Sequence, residues 1–197
     1  MIRIPVVSKT NQPLMPTKLQ KAVKLVNDGK AKWLFNKRLK LNYIKLLIEP
    51  SGYKLQKIQL GFDPGSCFDG ISVSSKKYNH LNIELIHNKT IKNRLEQKRI
   101  NRRTRRSNLR NREARFNNRT SEKRTPTIKS MLEFRKFHIN EIVSLFPISK
   151  AVFEEVKYNG EKQSNFAHVH QGQQQIIEFI KTKVPVVSLV RGYITKK

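Results

Sequence analysis

The stretch that decides the fold is residues 55–75, L-Q-K-I-Q-L-G-F-D-P-G-S-C-F-D-G-I-S-V-S-S. Its first part, 55–62, predicts an apolar strand, and D-P-G-S at 63–66 is typical of a tight turn. Further strands are predicted at 70–75 and 81–87. The segment therefore predicts an antiparallel meander, with a carboxylate presented at the end of its first strand.

A small basic module, residues 1–52, precedes this meander. Its prolines predict a short strand and turns at the beginning of the chain. Thr17 is predicted to cap a helix that Gly29 ends. Two more strands are predicted, at 32–35 and 43–48. Trp33, the only tryptophan of the chain, is assigned to the core of this module.

The segment 92–124 follows the meander and carries fourteen Lys or Arg against three Glu. It contains no Pro or Gly, so it is predicted to run as one long helix. Spacings of three, four and seven place a set of arginines on one face: Arg99, Arg102, Arg103, Arg106 and Arg110. Like charges at i, i+4 repel, and apolar residues are too sparse to bury a full stripe. An anionic partner is therefore expected, and a nucleic-acid backbone fits best.

Basic side chains of this segment are the predicted nucleic-acid contacts: Arg94, Lys98, Arg99, Arg102, Arg103, Arg105, Arg106, Arg110, Arg112, Arg115 and Arg119. A solvated or disordered charge run is the alternative for such a segment. A basic membrane-surface helix is disfavoured, because the apolar positions hold no Trp and few Leu.

The whole composition supports a polyanion as partner. The 197 residues include 41 Lys or Arg and 14 Asp or Glu, a formal net charge of +27. Hydrophobic residues make up 37%, which predicts a modest core in one compact domain with appendages. A single cysteine, Cys67, excludes a disulfide framework and a Cys-based zinc site within one chain. No apolar run is long enough to span a bilayer, and an intracellular, soluble protein without a membrane partner is predicted.

The last third of the chain predicts helices and strands in alternation. A helix is predicted to open at Thr127 or Ser130, with this apolar stripe: Met131, Phe134, Phe137, Ile142 and Leu145. Strands are predicted at 151–156 and 184–190, a polar loop at 160–172 and a helix at 173–181. His168 and His170 fall in that loop without a third ligand nearby, so loop or phosphate-contacting roles are favoured over a metal site. The order of elements suits a mixed sheet with helices against it.

Four segments together resemble one known family. They are P-L-M-P at 13–16, G-F-D-P-G-S at 61–66, R-R-T-R-R at 102–106 and F-E-E-V at 153–156. In this order the chain resembles IscB and its relatives, which are transposon-encoded RNA-guided nucleases. The resemblance covers essentially the whole chain, and the combination of segments is more specific than any one of them.

The resemblance implies an α/β fold: an incomplete RNase H-like (RuvC) mixed sheet, an inserted arginine-rich bridge helix and a small N-terminal α+β module. The implied domains are a PLMP-type module at 1–52, a first RuvC-like segment at 53–91, the bridge helix at 92–124 and a second RuvC-like segment at 125–197. Guide RNA and target DNA are the implied partners, with the bridge helix along the RNA–DNA heteroduplex.

Asp63 and Glu154 are the implied catalytic and metal-binding carboxylates of a two-metal Mg²⁺ site. Strand alternation places Glu154 and Glu155 on opposite faces, so a register slip of one residue would exchange their roles. Two other interpretations remain open. D-P-G could be a turn signal alone, and the two glutamates could be solvated charges.

A third acidic segment, which the family uses, is missing from this sequence. No Asp follows Asp69, the last acidic residue is Glu178, and no HNH-type module is present. A degenerate, split or truncated form is therefore expected, inactive alone unless a second polypeptide completes the site. One alternative is a basic, ribosome-associated-like RNA-binding structural protein without nuclease activity. Another is a standalone nuclease that uses Glu178. The bias toward Lys, Asn and Ile suggests a bacterial cytoplasm or a plastid matrix.

Overall fold

The structure is a computed structural model that describes residues 3–53, 55–88, 90–107, 126–155 and 168–191. These residues form an α/β fold with two mixed sheets and four helices. Among them, no helix combines the length and the apolar character that crossing a membrane requires.

The first sheet has four strands in the order β2-β1-β4-β3. They are β1 (Arg3–Val7), β2 (Pro13–Lys18), β3 (Ala31–Asn36) and β4 (Leu41–Leu46). The pairs β1–β2 and β3–β4 are antiparallel, whereas β1 and β4 are parallel. Helix α1 (Leu19–Asn27) packs on this sheet through the fully buried Ala22 and closes a small core.

Two details of this module differ from the sequence prediction. The P-L-M-P segment is part of strand β2 and not a turn; β2 is an edge strand among the described residues, where proline is tolerated. Thr17 also belongs to β2, and α1 begins after Lys18 without a side-chain cap. The predicted stop is confirmed, because Gly29 has φ 68° directly after the C-cap Asp28.

The second sheet has five strands in the order β7-β6-β5-β8-β9. They are β5 (Ile58–Asp63), β6 (Phe68–Ser75), β7 (Asn79–Ile86), β8 (Ile148–Glu155) and β9 (Val186–Arg191). The strands β5, β6 and β7 form the predicted antiparallel meander, and β8 and β9 continue the sheet parallel to β5. Parallel strands need crossover connections, which here contain the helices.

Three helices complete the fold: α2 (Thr90–Arg106), α3 (Pro126–Leu145) and α4 (His168–Lys183). Buried residues of α3 and α4 share one hydrophobic core with the inward side chains of the second sheet, such as Ile58, Leu60 and Phe62. Along β5 these buried residues alternate with more exposed ones. One face of the sheet therefore packs against helices, and the opposite face is open.

Helix α3 confirms part of the predicted apolar stripe. Met131, Ile142 and Leu145 are buried, but Phe134 and Phe137 are only partly covered. The helix also starts earlier than predicted, at Pro126. The proline was interpreted as a break, but proline is well tolerated in the first turn of a helix.

Helix α4 also starts earlier than the sequence predicted. His168 and His170 lie in its first turn and not in a polar loop. The polar side chains around them hid the helical pattern, because the apolar residues that pack against the core, Ile176, Ile177 and Ile180, are confined to the later turns.

Helix α3 also connects the two sheets. The Asn36 side-chain amide donates a hydrogen bond to Glu141 Oε2 at 2.6 Å. The Arg38 guanidinium lies 4.1 Å from the centre of the Phe137 ring. The turn between β3 and β4 is therefore fixed to the same helix that covers the second sheet.

A buried ion pair fixes the turn that follows β5. Arg135 on α3 and Asp69 on β6 are both fully buried. The guanidinium donates from Nε to Asp69 Oδ2 at 2.8 Å and from Nη2 to Oδ1 at 2.6 Å. His87 Nε2 lies 2.7 Å from Asp69 Oδ2. Bidentate pairing is the strongest form of charge-assisted hydrogen bond and satisfies the carboxylate inside the protein.

Both partners of this pair hold the backbone of Gly65. Its N–H donates to Asp69 Oδ1 at 3.0 Å, and its carbonyl accepts from Arg135 Nη2 at 3.0 Å. A Cβ at this position would lie 2.0 Å from the Phe68 carbonyl oxygen, so the turn requires glycine. The end of β5, which carries Asp63, is thereby anchored to α3.

Replacing Asp69 by Asn should destabilise the protein by about 3–5 kcal/mol, because Arg135 would remain buried without its anionic partner. Urea unfolding followed by circular dichroism measures this change. The control is Glu133→Gln, which removes an exposed ion pair with Lys136 on the same helix and should cost less than about 1 kcal/mol. If Asp69→Asn unfolds at the wild-type urea concentration, the ion pair does not hold the turn.

His80 lies at the beginning of β7 in a partly buried position. Its Nε2 is 3.0 Å from Ser75 Oγ, and its ring lies 6.5 Å from the buried ring of Phe146. Burial, and secondarily the positive charge of Arg3, lower the pKa of His80 below its usual value of 6.5. The folded protein therefore favours the neutral imidazole.

This lowered pKa should make folding stability fall as the pH drops below about 6.5. The unfolded chain then takes up a proton at His80 before the folded chain does, so protonation favours unfolding. The variant His80→Gln should lose that part of the pH dependence in urea titrations between about pH 7.5 and pH 5. The variant Arg3→Gln should weaken it. A wild-type protein that gains stability on acidification relative to His80→Gln would contradict the assignment.

Candidate functional site

Two carboxylates lie side by side on the open face of the second sheet. Asp63 is the last residue of β5, and Glu154 is the penultimate residue of β8. The two strands are parallel, and Phe62 pairs with Phe153, so the next step of the register brings Asp63 beside Glu154. Neighbouring strands lie about 4.8 Å apart, which places both carboxylates within reach of one small ligand.

The carboxylates line an open groove of about 630 Å³. Its lining residues come from all five strands: Gly61, Phe62, Asp63, Gly70, Ile71, Ser72, Asn82, Ile83, Glu84, Val152, Glu154 and Val190. A Cβ at Gly70 would lie 3.7 Å from Asp63 Cβ and 4.0 Å from Asp63 Oδ2. The glycine therefore leaves the side of the Asp63 carboxylate uncovered.

Glu84 is a third carboxylate in this groove that the sequence analysis did not single out. Asp63 pairs with Gly70 across β5 and β6, and Gly70 pairs with Glu84 across β6 and β7. The three residues thus form one row across the sheet, with the glycine in the middle. Strand alternation from Asn82 to Glu84 could have indicated that the two side chains share one face of β7. Only the strand register shows that Glu84 and Asp63 are the two ends of one row.

The register decides between the two glutamates of β8. Glu154 lines the groove together with Val152, whereas the side chain of Phe153 is fully buried on the opposite face. Glu155 follows Phe153 in the alternation and lies on that opposite face. Glu154 is therefore the residue that faces the same way as Asp63.

Glu178 is not among the residues that line this groove. It lies on α4, whose buried residues Ile176, Ile177 and Ile180 pack in the core beneath the other face of the sheet. The structure therefore gives no support to a standalone site that uses Glu178 as third ligand. Within the part of the chain that the structure describes, no cluster of three or more His, Cys, Asp or Glu side chains could hold a metal.

The donor set still fits one Mg²⁺ ion. Mg²⁺ is usually bound through one or two carboxylates and keeps several waters. Asp63 and Glu154 provide two carboxylates on adjacent strands, and the open groove leaves room for water and phosphate oxygens beside them. Two ions, which the resemblance implies, would need further ligands.

Helix α2 presents an exposed basic surface. None of its residues is buried, and Ile100 is 47% exposed. The helix ends at Arg106, earlier than the single helix predicted over 92–124, and residues 108–124 lie outside the described part of the chain. The predicted face is present over the described residues, because Arg99, Arg102, Arg103 and Arg106 line one shallow concavity of about 330 Å³. Among the described residues, neither core packing nor opposite charge stabilises this face, so its arginines are available to an anion.

Seven of the predicted nucleic-acid contacts belong to the described part of α2, and all are exposed: Arg94, Lys98, Arg99, Arg102, Arg103, Arg105 and Arg106. Four others lie outside the described residues: Arg110, Arg112, Arg115 and Arg119.

The structure corrects the assignment of Trp33 to the core. Its side chain is 38% exposed, and Phe35, two residues further along β3, is 55% exposed. Apolar character alone predicted burial, but Trp33 does not belong to the small core that α1 closes. The exposed Cys67 lies in the loop after Asp63, and its carbonyl accepts a hydrogen bond from the His87 N–H at 2.9 Å.

Comparison with known proteins gives one relationship. A search of the curated proteins finds no match. The family model described as RRXRR protein matches residues 4–175, which include most of both sheets and the R-R-T-R-R motif at 102–106. The chain therefore belongs to the RRXRR family.

Proposed function

We propose that this protein binds a guide RNA or an RNA–DNA heteroduplex and carries a partial Mg²⁺-dependent, RuvC-type site for phosphodiester hydrolysis. The observation that carries the proposal is the parallel register of β5 and β8, which sets Asp63 beside Glu154 on the open face of the sheet. The RRXRR family is associated with nuclease-related proteins, which favours this function over a purely structural RNA-binding role.

The order of strands supports an RNase H-like fold for the second sheet. An antiparallel meander of three strands is followed by two strands parallel to the first, with helices on one face. The candidate carboxylates then occur on the first and fourth strands in chain order, at the centre of the sheet. In such a nuclease the scissile phosphate would lie over the open face.

Mg²⁺ bound at Asp63 and Glu154 would supply Lewis-acid chemistry, which lowers the pKa of a water and stabilises the leaving oxygen. The two carboxylates would hold the ion. Gly70 keeps the adjacent surface open for the phosphate, and the Arg135–Asp69 pair holds the turn behind Asp63 in place. The protein would therefore contribute to the reaction by placing anionic metal ligands on rigid strands.

Helix α2 would serve as the bridge helix that holds the nucleic acid. Its exposed arginines suit phosphate contacts, which determine position and affinity without reading sequence. In an RNA-guided system the sequence is read by base pairing, so a helix without base-specific side chains is sufficient.

The site within the described residues offers only two carboxylates on adjacent strands, because Glu84 lies two strands away from Asp63 and the three do not form a metal-binding cluster. We infer that a second polypeptide or a segment outside the described residues would have to complete the nuclease site before target DNA can be cut. The surrounding net positive charge also disfavours a cation held by only two carboxylates.

The salt dependence of RNA binding tests the role of α2. The combined replacement of Arg102, Arg103, Arg105 and Arg106 by Ala should make the plot of log K against log salt less steep. The expected loss is about three to four phosphate contacts, each of which contributes about 0.9 to the slope on a duplex. Filter binding or fluorescence anisotropy provides the measurement.

A matched control removes the same charge elsewhere on the surface, by replacing Lys21, Lys24, Lys76 and Lys77 with Ala. This control should leave the slope closer to that of the wild type. If the two quadruple variants flatten the slope equally, net charge alone binds the RNA and α2 is not the interface.

A metal titration and a cleavage assay test the carboxylate site. Mn²⁺, used as a paramagnetic substitute for Mg²⁺, should broaden the backbone NMR signals of β5 and β8, and Asp63→Asn should abolish this broadening. Glu155→Gln is the control on the opposite face and should leave it unchanged. The protein with RNA, target DNA and Mg²⁺ should not cut DNA, because its ions remain under-ligated.

Two results would contradict these expectations. Broadening that survives both Asp63→Asn and Glu154→Gln would place the metal elsewhere and favour the structural RNA-binding alternative. Robust nicking that Asp63→Ala abolishes would show that the chain completes its own site.

A further inference from the structure

The β3–β4 hairpin presents two exposed aromatic rings on one strand of a strongly basic protein. Trp33 and Phe35 lie two residues apart on one strand, so their side chains project from the same face about 6.8 Å apart. Ala31 on that face is only 4% exposed. Burial on this face therefore ends between Ala31 and Trp33, and both rings are accessible.

Neither ring is occupied by a partner within the described part of the chain. The aromatic pairs and cation–π contacts there involve other phenylalanine, tyrosine and histidine rings. Strand β3 is also an edge strand of its sheet among the described residues. Two neighbouring rings exposed on an edge strand form a small apolar patch whose exposure costs free energy in water and which a ligand could cover.

The hairpin itself carries basic but no acidic side chains. From Gly29 to Ile48 the sequence contains six basic residues: Lys30, Lys32, Lys37, Arg38, Lys40 and Lys45. Lys32 and Lys45, which pair across the two strands, lie on the face opposite to the rings. Lys37 and Lys40 are exposed in the turn that follows β3 and provide cations for an anionic ligand at this end of the hairpin.

The hairpin is rigid enough to act as a preformed surface. Asn36 Oδ1 accepts hydrogen bonds from the N–H groups of Arg38 and Leu39, both at 3.0 Å. The same asparagine is bonded to Glu141 on α3, and Arg38 stacks on Phe137. Fixing the hairpin in advance lowers the entropy lost when a ligand binds.

We propose that Trp33 and Phe35 form a stacking platform for unpaired bases of a single-stranded nucleic acid, whose phosphates contact the turn lysines Lys37 and Lys40. Base–aromatic stacking with flanking cations is the usual basis of single-strand binding without sequence preference. The spacing of about 6.8 Å is twice the ~3.4 Å rise per nucleotide of one strand, so one base fits between the rings. The proposal extends the RNA-binding half of the proposed function and is independent of the carboxylate site.

The single tryptophan makes this surface directly observable. Trp33 is the only source of tryptophan fluorescence in the chain. A single-stranded oligoadenylate of about 12 nucleotides, within the ~4–16 that single-strand binding folds cover, should quench this emission on binding. A duplex of the same length and concentration should quench it much less, because its bases are already stacked.

Variants separate stacking from apolar contact. Phe35→Ala and Phe35→Leu retain the fluorescent probe, and both should lower the oligoadenylate affinity roughly 5- to 100-fold, because each removes an aromatic face. Leu47→Ala, a change at a residue that is 46% exposed outside the hairpin strands, should leave the affinity unchanged. Equal affinity of Phe35→Leu and the wild type would overturn the stacking proposal.

The same experiment distinguishes failure of this proposal from failure of the proposed function. The quadruple Ala variant of α2 should still show quenching by oligoadenylate at low salt, since the hairpin remains intact. Oligoadenylate binding detected by anisotropy without any quenching would place the single strand elsewhere and overturn the proposal. A concentration-dependent blue shift of the emission without nucleic acid, together with no quenching, would instead show that the platform is a contact between copies of this chain.

Discussion

The buried pair between Arg135 and Asp69 is the interaction on which the arrangement of the open face depends. It connects α3, which packs on the buried face of the second sheet, to the turn that follows β5. Asp63 is the last residue before that turn. A buried ion pair is a weak source of net stability, but the loss of one partner is severe, because the other charge remains without solvent. The pair therefore acts as a constraint on geometry. It allows an exposed carboxylate to stay on a rigid strand end although the turn itself is short and contains glycine.

Acidic and basic side chains are concentrated on different surfaces of the molecule. The open groove concentrates Asp63, Glu84 and Glu154 in a chain with a net charge of +27. Clusters of cations lie on α2 and on the β3–β4 hairpin. A polyanion would be attracted to the basic surfaces and repelled from the carboxylates unless a divalent cation shielded them. Under this electrostatic arrangement, the proposed binding of nucleic acid would not require the metal, whereas its approach to the groove would.

Much of the fold could be predicted from the sequence, because strand alternation and turn residues are local signals. The antiparallel meander and the end of α1 at Gly29 followed from such signals, whereas alternation alone left Glu154 and Glu155 exchangeable until the strand register was known. Long-range facts could not be predicted in this way. Arg135 lies in the middle of an otherwise apolar helix face, and its partner is 66 residues earlier in the chain. The exposure of Trp33 depends on which neighbours the fold packs against β3, which residue type alone does not encode.

Helix α3 is attached to both halves of the molecule, the second sheet and the β3–β4 hairpin. One side of it holds the turn behind Asp63 through Arg135, and another holds the basic hairpin through Glu141 and Phe137. Because α3 also fills the core under the second sheet, neither surface can move far without disturbing buried apolar contacts. A nucleic acid held on the hairpin would therefore keep a fixed distance from the carboxylate groove. Such rigidity is what a nuclease needs, since a displacement of about 1 Å at the reacting atoms can lower the rate about 100-fold.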